Sequence, residues 1–370
     1  MNVFAVILGV ILILGALVDA FESIILPRTV KRAVRISSMV IWVSQAVFSV
    51  IRRMRKSMWR QAFLVAHPPL LLLSLFALWA LLLIFGFALL NFGTGVALRS
   101  VNSIGFDAEL YYSGVTFFTL GFGDITPVGT LGRGLAVLEA GVGFGFLALI
   151  ISYVPVMYGA FSRREVTMLL LDSKAGSDPT ASELLRRHAE LACFIPLSSL
   201  LKDWERFSAE LLESYLSYPL LAFYRSQHDN QSWLRSLTAI LDGCALIEAG
   251  FAGNPDHEAP LKFQARATFA MARHVVVDLA YIMGITPRHP ISPRLGPGVL
   301  ITIRNKMAKI GVPLDASPEA DGRLYGAIEM YEPYVTSLAK HMIIDLPTWL
   351  PEDDAIDNWQ TSAWEGAKHF

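Results

Sequence analysis

Cysteine is nearly absent from this chain, with only Cys193 and Cys244 among its 370 residues. Two thiols cannot supply the disulfide framework that holds small secreted domains together. Both cysteines follow the last long apolar run, and the topology derived below places them on the cytoplasmic side. We therefore expect buried free thiols at both positions rather than a disulfide.

The sequence also contains none of the short motifs that mark nucleotide or calcium sites. No Gly-x-Gly-x-x-Gly follows a strand, and no Walker loop, EF-hand loop or strand-rich cyclic-nucleotide module is present. Residues 180–344 carry no nucleophile constellation, metal spacing or phosphate loop, so we expect no enzyme and no organic cofactor. His274 and Asp278 lie four residues apart on an otherwise apolar helix; we expect a satisfied core pair, with a metal site as the alternative.

Charged residues are sparse and unevenly distributed. They make up 17% of the chain, 54% is hydrophobic and the mean hydropathy is +0.46, values that fit a membrane protein with a sizeable soluble part. Residues 1–164 hold 13 Lys and Arg against 6 Asp and Glu, a net charge of +7, and residues 165–370 hold 18 against 26, a net charge of −8. The first part is therefore apolar and basic, and the second is soluble and acidic.

Three apolar runs are long enough to cross a bilayer, whose hydrocarbon core of about 30 Å needs about 20 residues of helix. They are Asn2 to Leu26, Leu64 to Phe92 and Leu135 to Tyr158. Met1 to Phe4 carries no positive charge, and no Ala-x-Ala-type cleavage site ends the first run. We interpret that run as a retained anchor rather than a secretory signal.

Between the second and third runs lies the hexapeptide Thr119-Leu120-Gly121-Phe122-Gly123-Asp124. Glycine adopts backbone conformations that L-residues avoid, so alternate glycines allow successive carbonyl oxygens to face one axis. Rings of such carbonyls replace the hydration shell of a potassium ion. We expect the carbonyls of residues 119–123 and the Thr119 hydroxyl to bind potassium. Leu120 and Phe122 are expected to pack behind this filter, and Asp124 to raise the cation concentration at its outer mouth.

The surroundings of the hexapeptide distinguish a filter from an ordinary Gly-x-Gly turn. Residues 111–118 form an aromatic-rich stretch that can fold as a short pore helix, and residues 125–127 precede the third apolar run. Outer helix, pore helix, filter and inner helix thus follow in the order that a potassium pore needs. The pore helix and filter are predicted to form a re-entrant loop, which is allowed at membrane depth when protein buries it.

From Ala66 to about Arg164, a quarter of the chain, the sequence resembles the potassium-channel pore family. Tyr111 and Tyr112 stand where voltage-gated members carry paired tryptophans, and Thr116 matches the first threonine of the pore helix, behind the filter. The resemblance implies passive potassium conduction. It also implies a homotetramer, because each chain carries one filter motif and each ion needs a ring of four.

Two residues depart from the family pattern. Phe122 replaces the commoner tyrosine, and Phe118 replaces a threonine that is usual just before the filter. The missing tyrosine hydroxyl removes a hydrogen bond behind the filter. A poorly selective cation channel is therefore an alternative, and a membrane-anchored receptor or enzyme that uses the C-terminal region is another.

Basic clusters flank the apolar segment Ile36 to Ile51 on both sides. A span there would place one cluster outside, against the positive-inside rule, so we interpret the segment as an interfacial helix on the cytoplasmic face, with a fourth span as the alternative. Residues Arg28–Arg60 are expected to bind anionic lipid. The spacings Arg28-x-x-Lys31 and Arg32-x-x-Arg35 also have the period of a gating-charge helix, but the 65 residues before Ala66 are too few for the four spanning helices of a voltage sensor. Asp19 and Glu22 are expected to pair with this basic segment, a gating acid being the alternative.

The inner helix carries three residues that gating can use. Gly143 falls at the gating glycine of the family, and both a hinge and close helix packing are open for it. Pro155 is expected to break the helix near its cytoplasmic end, close to a hypothetical apolar gate at Ile151 to Met157. Glu139 is an ionisable group inside a membrane helix. We expect it to hydrogen-bond to the pore helix at Thr116, with a proton-sensitive lever on the filter as the alternative.

Residues beyond Arg164 predict an all-α soluble domain. Thr180 and Glu183 form a capping box, and helical patterns cover 198–218, 231–249, 261–283, 297–310 and 320–344. The predicted fold class is an all-α membrane protein: a tetrameric potassium-channel pore with an extra N-terminal transmembrane helix and an all-α cytoplasmic domain. The predicted parts are an N-terminal transmembrane helix (1–27), a basic cytoplasmic or interfacial segment (28–62), the pore domain (63–164), a linker (165–179) and the cytoplasmic helical domain (180–370).

The predicted location is the plasma (cell inner) membrane, crossed several times. The C-terminal domain is placed in the cytoplasm because the outer mouth of the filter must face outward. Expected partners are further copies of the chain and membrane lipid, without nucleic acid. The helical domain is expected to assemble or gate the pore, and the sequence does not identify a cytoplasmic ligand for it.

Overall fold

A computed structural model describes residues 2–24, 36–54, 57–99, 105–189, 194–226, 231–250, 255–351, 360–362 and 365–368. The chain is mostly helical and divides into two compact units. The first contains residues 1–159 and 216–224, and the second contains residues 160–215 and 225–370. The predicted division into a pore domain and a helical domain did not include the return of residues 216–224 to the first unit.

Helices dominate the first unit. Its elements are α1 (Val3–Ile24), α2 (Ile36–Arg53), α3 (Met58–Thr94), β1 (Leu98–Arg99), α4 (Phe106–Phe117), β2 (Thr126–Pro127), the first part of α5 (Gly129–Ala175) and a short 3₁₀ helix (Pro219–Phe223). By length and composition, α1, α3 and α5 can each cross a membrane, in agreement with the three predicted spans, whereas α2 is not among these candidates. The basic residues between α1 and α2 lie outside the described part of the chain.

The extra N-terminal helix α1 packs closely against α3. A Cβ atom placed on Gly9 would lie 2.7 Å from the carbonyl oxygen of Gly86, which is too close for any side chain. Small residues at such crossings let two membrane helices approach backbone to backbone, where dispersion contacts are strongest. Glycine at these positions therefore fixes the extra helix to the outer helix of the pore.

Asp19, near the carboxyl end of α1, is buried and joins three helices. Its carboxylate accepts hydrogen bonds from the Trp79 indole at 2.8 Å, from the Ser37 amide at 2.9 Å and from the Ser37 hydroxyl at 3.0 Å. Because Ser37 lies in the first turn of α2, Asp19 also balances the positive end of that helix. The predicted pairing with the basic segment concerns residues that are mostly outside the described part. The recorded partners of Asp19 are Trp79 and Ser37.

The segments that precede α4 and follow the filter segment pair with each other as two short strands. β1 and β2 pair antiparallel, with Leu98 opposite Pro127 and Arg99 opposite Thr126. The intervening helix α4 buries Phe117 in a core that α3 and α5 also line, and Trp79 of α3 is only 1% exposed there. This packing positions the segment that follows α4.

The inner helix α5 is one continuous helix of 47 residues. Pro155 lies inside it, so the prediction that Pro155 breaks the helix is wrong. Proline is tolerated in membrane helices because neighbouring groups satisfy the freed carbonyl. The helix also runs through residues 165–175 of the predicted linker, since no glycine or proline occurs from 160 to 175. It ends before Gly176, whose φ is +87°.

The second unit is helical as predicted, with two differences. Its elements are the end of α5, then α6 (Ala181–Ala189), α7 (Ile195–Ser217), α8 (Trp233–Ala249), α9 (Pro255–Ile282), α10 (Pro297–Lys309), α11 (Pro318–Glu329), α12 (Glu332–Met342), β3 (Gln360–Ser362) and β4 (Glu365–Lys368). The helix predicted at 320–344 is two helices, because Pro333 favours the first turn of a new one. The strands β3 and β4 form a hairpin that an all-α prediction did not contain.

Three further predictions for the second unit can be compared with the structure. The Glu183 amide donates to the Thr180 hydroxyl at 3.3 Å, so Thr180 caps the helix, but the predicted capping box is only half formed because the Thr180 amide donates to the Ala175 carbonyl at 3.2 Å. The His274 Nε2 and Asp278 Oδ2 atoms are 3.4 Å apart, but the two side chains are 58% and 38% exposed, so the predicted core pair lies on the surface instead. Cys244 is a buried free thiol whose pKa is raised by burial, and Cys193 lies outside the described residues.

Candidate functional site

The chain leaves the pore helix α4 through a tight set of backbone hydrogen bonds. The amides that follow α4 donate back to its last carbonyls: Phe118 to Gly114 at 3.1 Å, Thr119 to Thr116 at 3.0 Å and Leu120 to Val115 at 2.9 Å. Thr116 thus anchors the start of the filter segment through its own carbonyl. The carboxyl end of a helix carries partial negative charge, and it lies immediately before Thr119.

The backbone of residues 119–123 alternates between two conformations. Thr119, Gly121 and Gly123 have φ angles of +55°, +60° and +78°, whereas Leu120 and Phe122 between them have negative φ. In a β-strand, neighbouring carbonyls point in opposite directions. Alternation with the left-handed region allows successive carbonyls to face the same side instead. The backbone of residues 119–123 is therefore compatible with the predicted row of carbonyl oxygens, the kind of ligand that coordinates potassium in a filter.

The positive φ of Thr119 was not predicted from the sequence. A β-branched residue at positive φ is a genuine conformational outlier, unlike a glycine. Holding such a residue there costs about 1–3 kcal/mol and is typical of sites where the conformation serves a function. Thr119 thus shares the positive φ of the two glycines, and the role of its hydroxyl as a potassium ligand stays a prediction.

The apolar side chains of the filter are not covered within one protomer. Leu120 is 55% exposed and Phe122 is 66% exposed, so the prediction that they pack behind the filter is not met by contacts within a single chain. Phe118 is 43% exposed, although its ring meets Phe117 edge-on at 5.3 Å between centroids. Large apolar groups on both sides of a carbonyl row need other surfaces to cover them.

Asp124 lies exposed at the end of the filter segment. The hydroxyl of Tyr111, on the pore helix, is its hydrogen-bond partner. This contact ties the end of the filter back to α4 across the loop. The role of Asp124 as a negative charge that concentrates cations at the outer mouth stays a prediction.

Gly143 on the inner helix lies directly against the end of the pore helix. A Cβ atom at this position would overlap the carbonyl oxygen of Phe117 and lie 2.8 Å from its carbonyl carbon. The backbones of α4 and α5 therefore meet at Gly143, opposite Phe117, which lies two residues before the first filter residue, Thr119. This contact supports the close-packing alternative for Gly143, and its role as a hinge remains a prediction.

We expect Gly143→Ala to impair conduction far more than Gly145→Ala. The methyl group that Gly143→Ala adds has to displace the Phe117 backbone, and such overpacking costs about 1–3 kcal/mol in each chain. Gly145 lies on the same helix, and nothing is within 4 Å of its Cβ position in the protomer. Potassium flux from liposomes containing equal amounts of each variant measures the difference. Equal fluxes would contradict the packing role.

Glu139 is fully buried, and its partner differs from the prediction. Its Oε1 atom hydrogen-bonds to the hydroxyl of Ser113 on α4, not to Thr116. The same Ser113 hydroxyl also meets the Ile84 carbonyl of α3 at 2.7 Å. Ser113 and Thr116 are three residues apart and project from neighbouring positions of one helix face, so the sequence could not distinguish them.

No group of three or more His, Cys, Asp and Glu side chains that could hold a metal ion occurs within the described ranges. The groups suited to a cation are instead the carbonyls of residues 119–123 and the Thr119 hydroxyl. Hard oxygen donors without a formal charge suit a monovalent cation that must bind and then leave again.

Comparison with known proteins gives an independent view of this region. Residues 77–158, which hold α4, the filter segment and most of the inner helix, match the family described as "Ion channel". Protein LctB of Geobacillus stearothermophilus is 33% identical over 112 residues, 26% of this chain and 80% of that protein. Protein LctB of Bacillus caldotenax is 36% identical over 85 residues, 20% of this chain and 63% of that protein.

A longer and weaker similarity extends beyond the pore. Uncharacterized membrane protein YdjJ of Bacillus subtilis (strain 168) is 22% identical over 220 residues, 58% of this chain and 62% of that protein. This chain therefore spans a little under two thirds of two of the curated relatives that it matches. No solved structure matches it significantly.

The three candidate membrane helices and the matched region define a membrane protein with an ion-channel domain. The chain belongs to the same family as protein LctB.

Proposed function

We propose that this protein is a homotetrameric channel that conducts potassium passively and selectively through residues 119–123. The observation that supports this most strongly is the alternation of positive φ at Thr119, Gly121 and Gly123. It aligns the carbonyls, and four such rows around one axis would replace the hydration shell of potassium.

The exposure of the filter in one protomer supports the tetramer. Leu120 and Phe122 are apolar and more than half exposed at membrane depth, beside a row of backbone carbonyls. Irregular backbone is tolerated at that depth only when protein surrounds it or when it lines a polar cavity. Four chains meeting at the filter provide both surroundings, with the side chains against neighbours and the carbonyls toward the axis.

We propose further that the helical domain lies in the cytoplasm and gates the pore through residues 216–224. This segment begins with the last two residues of α7 yet belongs to the first unit, where its 3₁₀ helix packs on α3. The ring of Tyr218 meets that of Tyr153 on α5 at 5.3 Å, and Tyr153 meets Phe76 of α3 at 6.2 Å. A shift of this segment would therefore act directly on the inner helix, next to the hypothetical gate.

Tyr218→Ala is expected to change the open probability of the channel without preventing its assembly. An edge-on aromatic contact is worth about 0.5–1.5 kcal/mol, so losing it would shift a two-state gate roughly two- to tenfold per chain. Single-channel recording measures the open probability. Tyr281→Ala, at a tyrosine that is 76% exposed in the second unit, is the control. Identical open probabilities for Tyr218→Ala and wild type would remove the coupling role.

A cytoplasmic ligand of the helical domain remains a proposal, and one cavity offers it a place. A cavity of about 390 Å³ lies between α8, α9 and α11, within the range of small-molecule sites. Cys244 lines its interior and Arg266 its edge, and Gly322 and Gly326 of α11 leave space on one wall. Glycine in a helix costs about 0.5–1 kcal/mol relative to alanine, and no close backbone contact explains these two.

The alternatives rest on narrower observations. Phe118 and Phe122 still motivate a poorly selective cation channel, since neither supplies a hydroxyl behind the filter. A membrane-anchored receptor or enzyme would have to use the second unit, and the match to an ion channel family favours a non-enzymatic role. We propose in addition that Arg28–Arg60 binds anionic lipid and that α2 lies at the membrane surface. The proposed location is the plasma (cell inner) membrane.

The direct test is potassium efflux from liposomes that contain the purified protein. We expect efflux down a potassium gradient and little flux when sodium replaces potassium. Native mass spectrometry of the same sample should give four copies per particle. Comparable sodium flux would favour the poorly selective channel, and a different copy number would exclude the four-fold filter.

A further inference from the structure

Two hydrogen bonds connect three oxygen atoms of the first unit, each on a different helix. They are the Ile84 carbonyl oxygen of α3, the Ser113 hydroxyl oxygen of α4 and the Oε1 atom of Glu139 on α5. Ser113 and Glu139 are both completely buried. The three helices that frame the pore thus meet at one hydrogen-bonded chain, four residues before α4 ends.

The number of protons in these two hydrogen bonds determines the protonation state of Glu139. Two hydrogen bonds need two protons, and a backbone carbonyl can only accept. The Ser113 hydroxyl carries one proton, which it donates to Ile84. The bond between Ser113 and Glu139 then needs a second proton, and only a protonated Glu139 carboxyl supplies it. With an ionised Glu139, Ser113 would face two acceptors with one proton.

The other oxygen of Glu139 supports the same state. Its Oε2 atom is buried and has no hydrogen-bond partner among the described residues. A buried carboxylate without donors is very costly, whereas the carbonyl oxygen of a neutral acid costs much less. The titratable groups that face Glu139 are Glu109 and Tyr112, both on α4. A charge on Glu109 would oppose a charge on Glu139, and neither group provides a cation.

We propose that Glu139 is held as a neutral carboxylic acid that donates its proton to Ser113, and that this chain clamps α4 between α3 and α5. Glu139 is thus a positioning residue. It acts through Ser113 on the pore helix and, through Phe117, on the start of the filter. The role of the clamp in conduction rests on the proposed channel function, whereas the protonation state does not.

The matched variants separate a hydrogen-bond donor from a charge. Glu139→Gln keeps the size and provides an amide that donates to Ser113, so potassium flux should remain within about twofold of wild type. Glu139→Leu and Ser113→Ala each break the chain, and we expect about a tenfold loss of flux from each. Wild-type flux in Glu139→Leu, or loss of flux in Glu139→Gln equal to that in Glu139→Leu, would overturn the clamp.

Infrared spectroscopy tests the proton without relying on conduction. We expect the full-length protein at neutral pH to show the carbonyl stretch of a protonated carboxyl group. That band should be absent from Glu139→Gln and retained in Ser113→Ala, at a shifted frequency. A spectrum of Glu139→Gln that differs from wild type only in an ionised carboxylate band would overturn the proposal. The band should persist even if the protein does not select potassium. Failure of the proposed channel function can therefore be distinguished from failure of the proposed protonation of Glu139.

Discussion

Gly121→Ala is expected to abolish potassium conduction. Gly121 has a φ of +60°, in the region where an L-alanine costs about 1–2 kcal/mol more than glycine. In the proposed tetramer four chains contribute to one filter, so the total is roughly 4–8 kcal/mol if the filter keeps its geometry. We expect the filter to relax to negative φ instead, which turns a carbonyl away from the axis and breaks the row.

The matched control is Gly298→Ala, in the first turn of α10. That position is helical and has nothing within 4 Å of its Cβ site, so alanine should be neutral or stabilising by about 0.5–1 kcal/mol. Both variants are compared with wild type by potassium flux and by native mass spectrometry. Selective potassium flux in assembled Gly121→Ala channels would mean that residues 119–123 do not form the conducting backbone.

Asp242→Ala is expected to cost the helical unit about 3–5 kcal/mol of stability. Asp242 is completely buried, accepts two hydrogen bonds from Arg294 at 2.6 and 2.9 Å, and accepts a third from the Tyr331 hydroxyl. Burial alone lowers the pKa of Arg294, but the charge and hydrogen bonds of Asp242 outweigh it and hold that pKa above its usual value. Alanine would leave the buried guanidinium without its strongest charged partner, with a 3.1 Å hydrogen bond to the Pro347 carbonyl and the weaker, 3.3 Å contact to Glu332 remaining.

Thermal unfolding followed by circular dichroism and limited proteolysis measures this loss. A domain with about 5–15 kcal/mol of total stability would be cut at far lower temperature after such a change. Arg266→Ala is the control, because its pair with Glu248 leaves Arg266 68% exposed and should contribute only about 0–1 kcal/mol. Equal unfolding temperatures for Asp242→Ala and Arg266→Ala would contradict the structural role assigned to the buried pair.

Local patterns were predictable from the sequence because they depend on neighbours along the chain. The three apolar runs, the alternate glycines of the filter and the Thr180 cap each follow from composition or spacing within a few residues. The split between α11 and α12 was also visible in principle, since Pro333 marks the start of a helix. Because the apolar periodicity continues across Pro333, the sequence favoured a single helix there.

Contacts between distant elements were not predictable. Gly143 meets Phe117, and Glu139 meets Ser113 rather than Thr116, because helix rotation depends on packing that a single sequence does not determine. The partnership of Asp242 with Arg294, 52 residues later, has no local signature. The return of residues 216–224 to the first unit likewise depends on tertiary packing of an aromatic segment that resembles an ordinary loop.

The central claim is that residues 119–123 select potassium, and the reversal potential tests it most directly. The purified wild-type protein is placed in a planar bilayer with potassium on one side and sodium on the other. We predict a reversal potential close to the potassium equilibrium value, and loss of that current in Gly121→Ala. A wild-type reversal potential near zero, with measurable current, would contradict selective potassium conduction and indicate a nonselective cation pore.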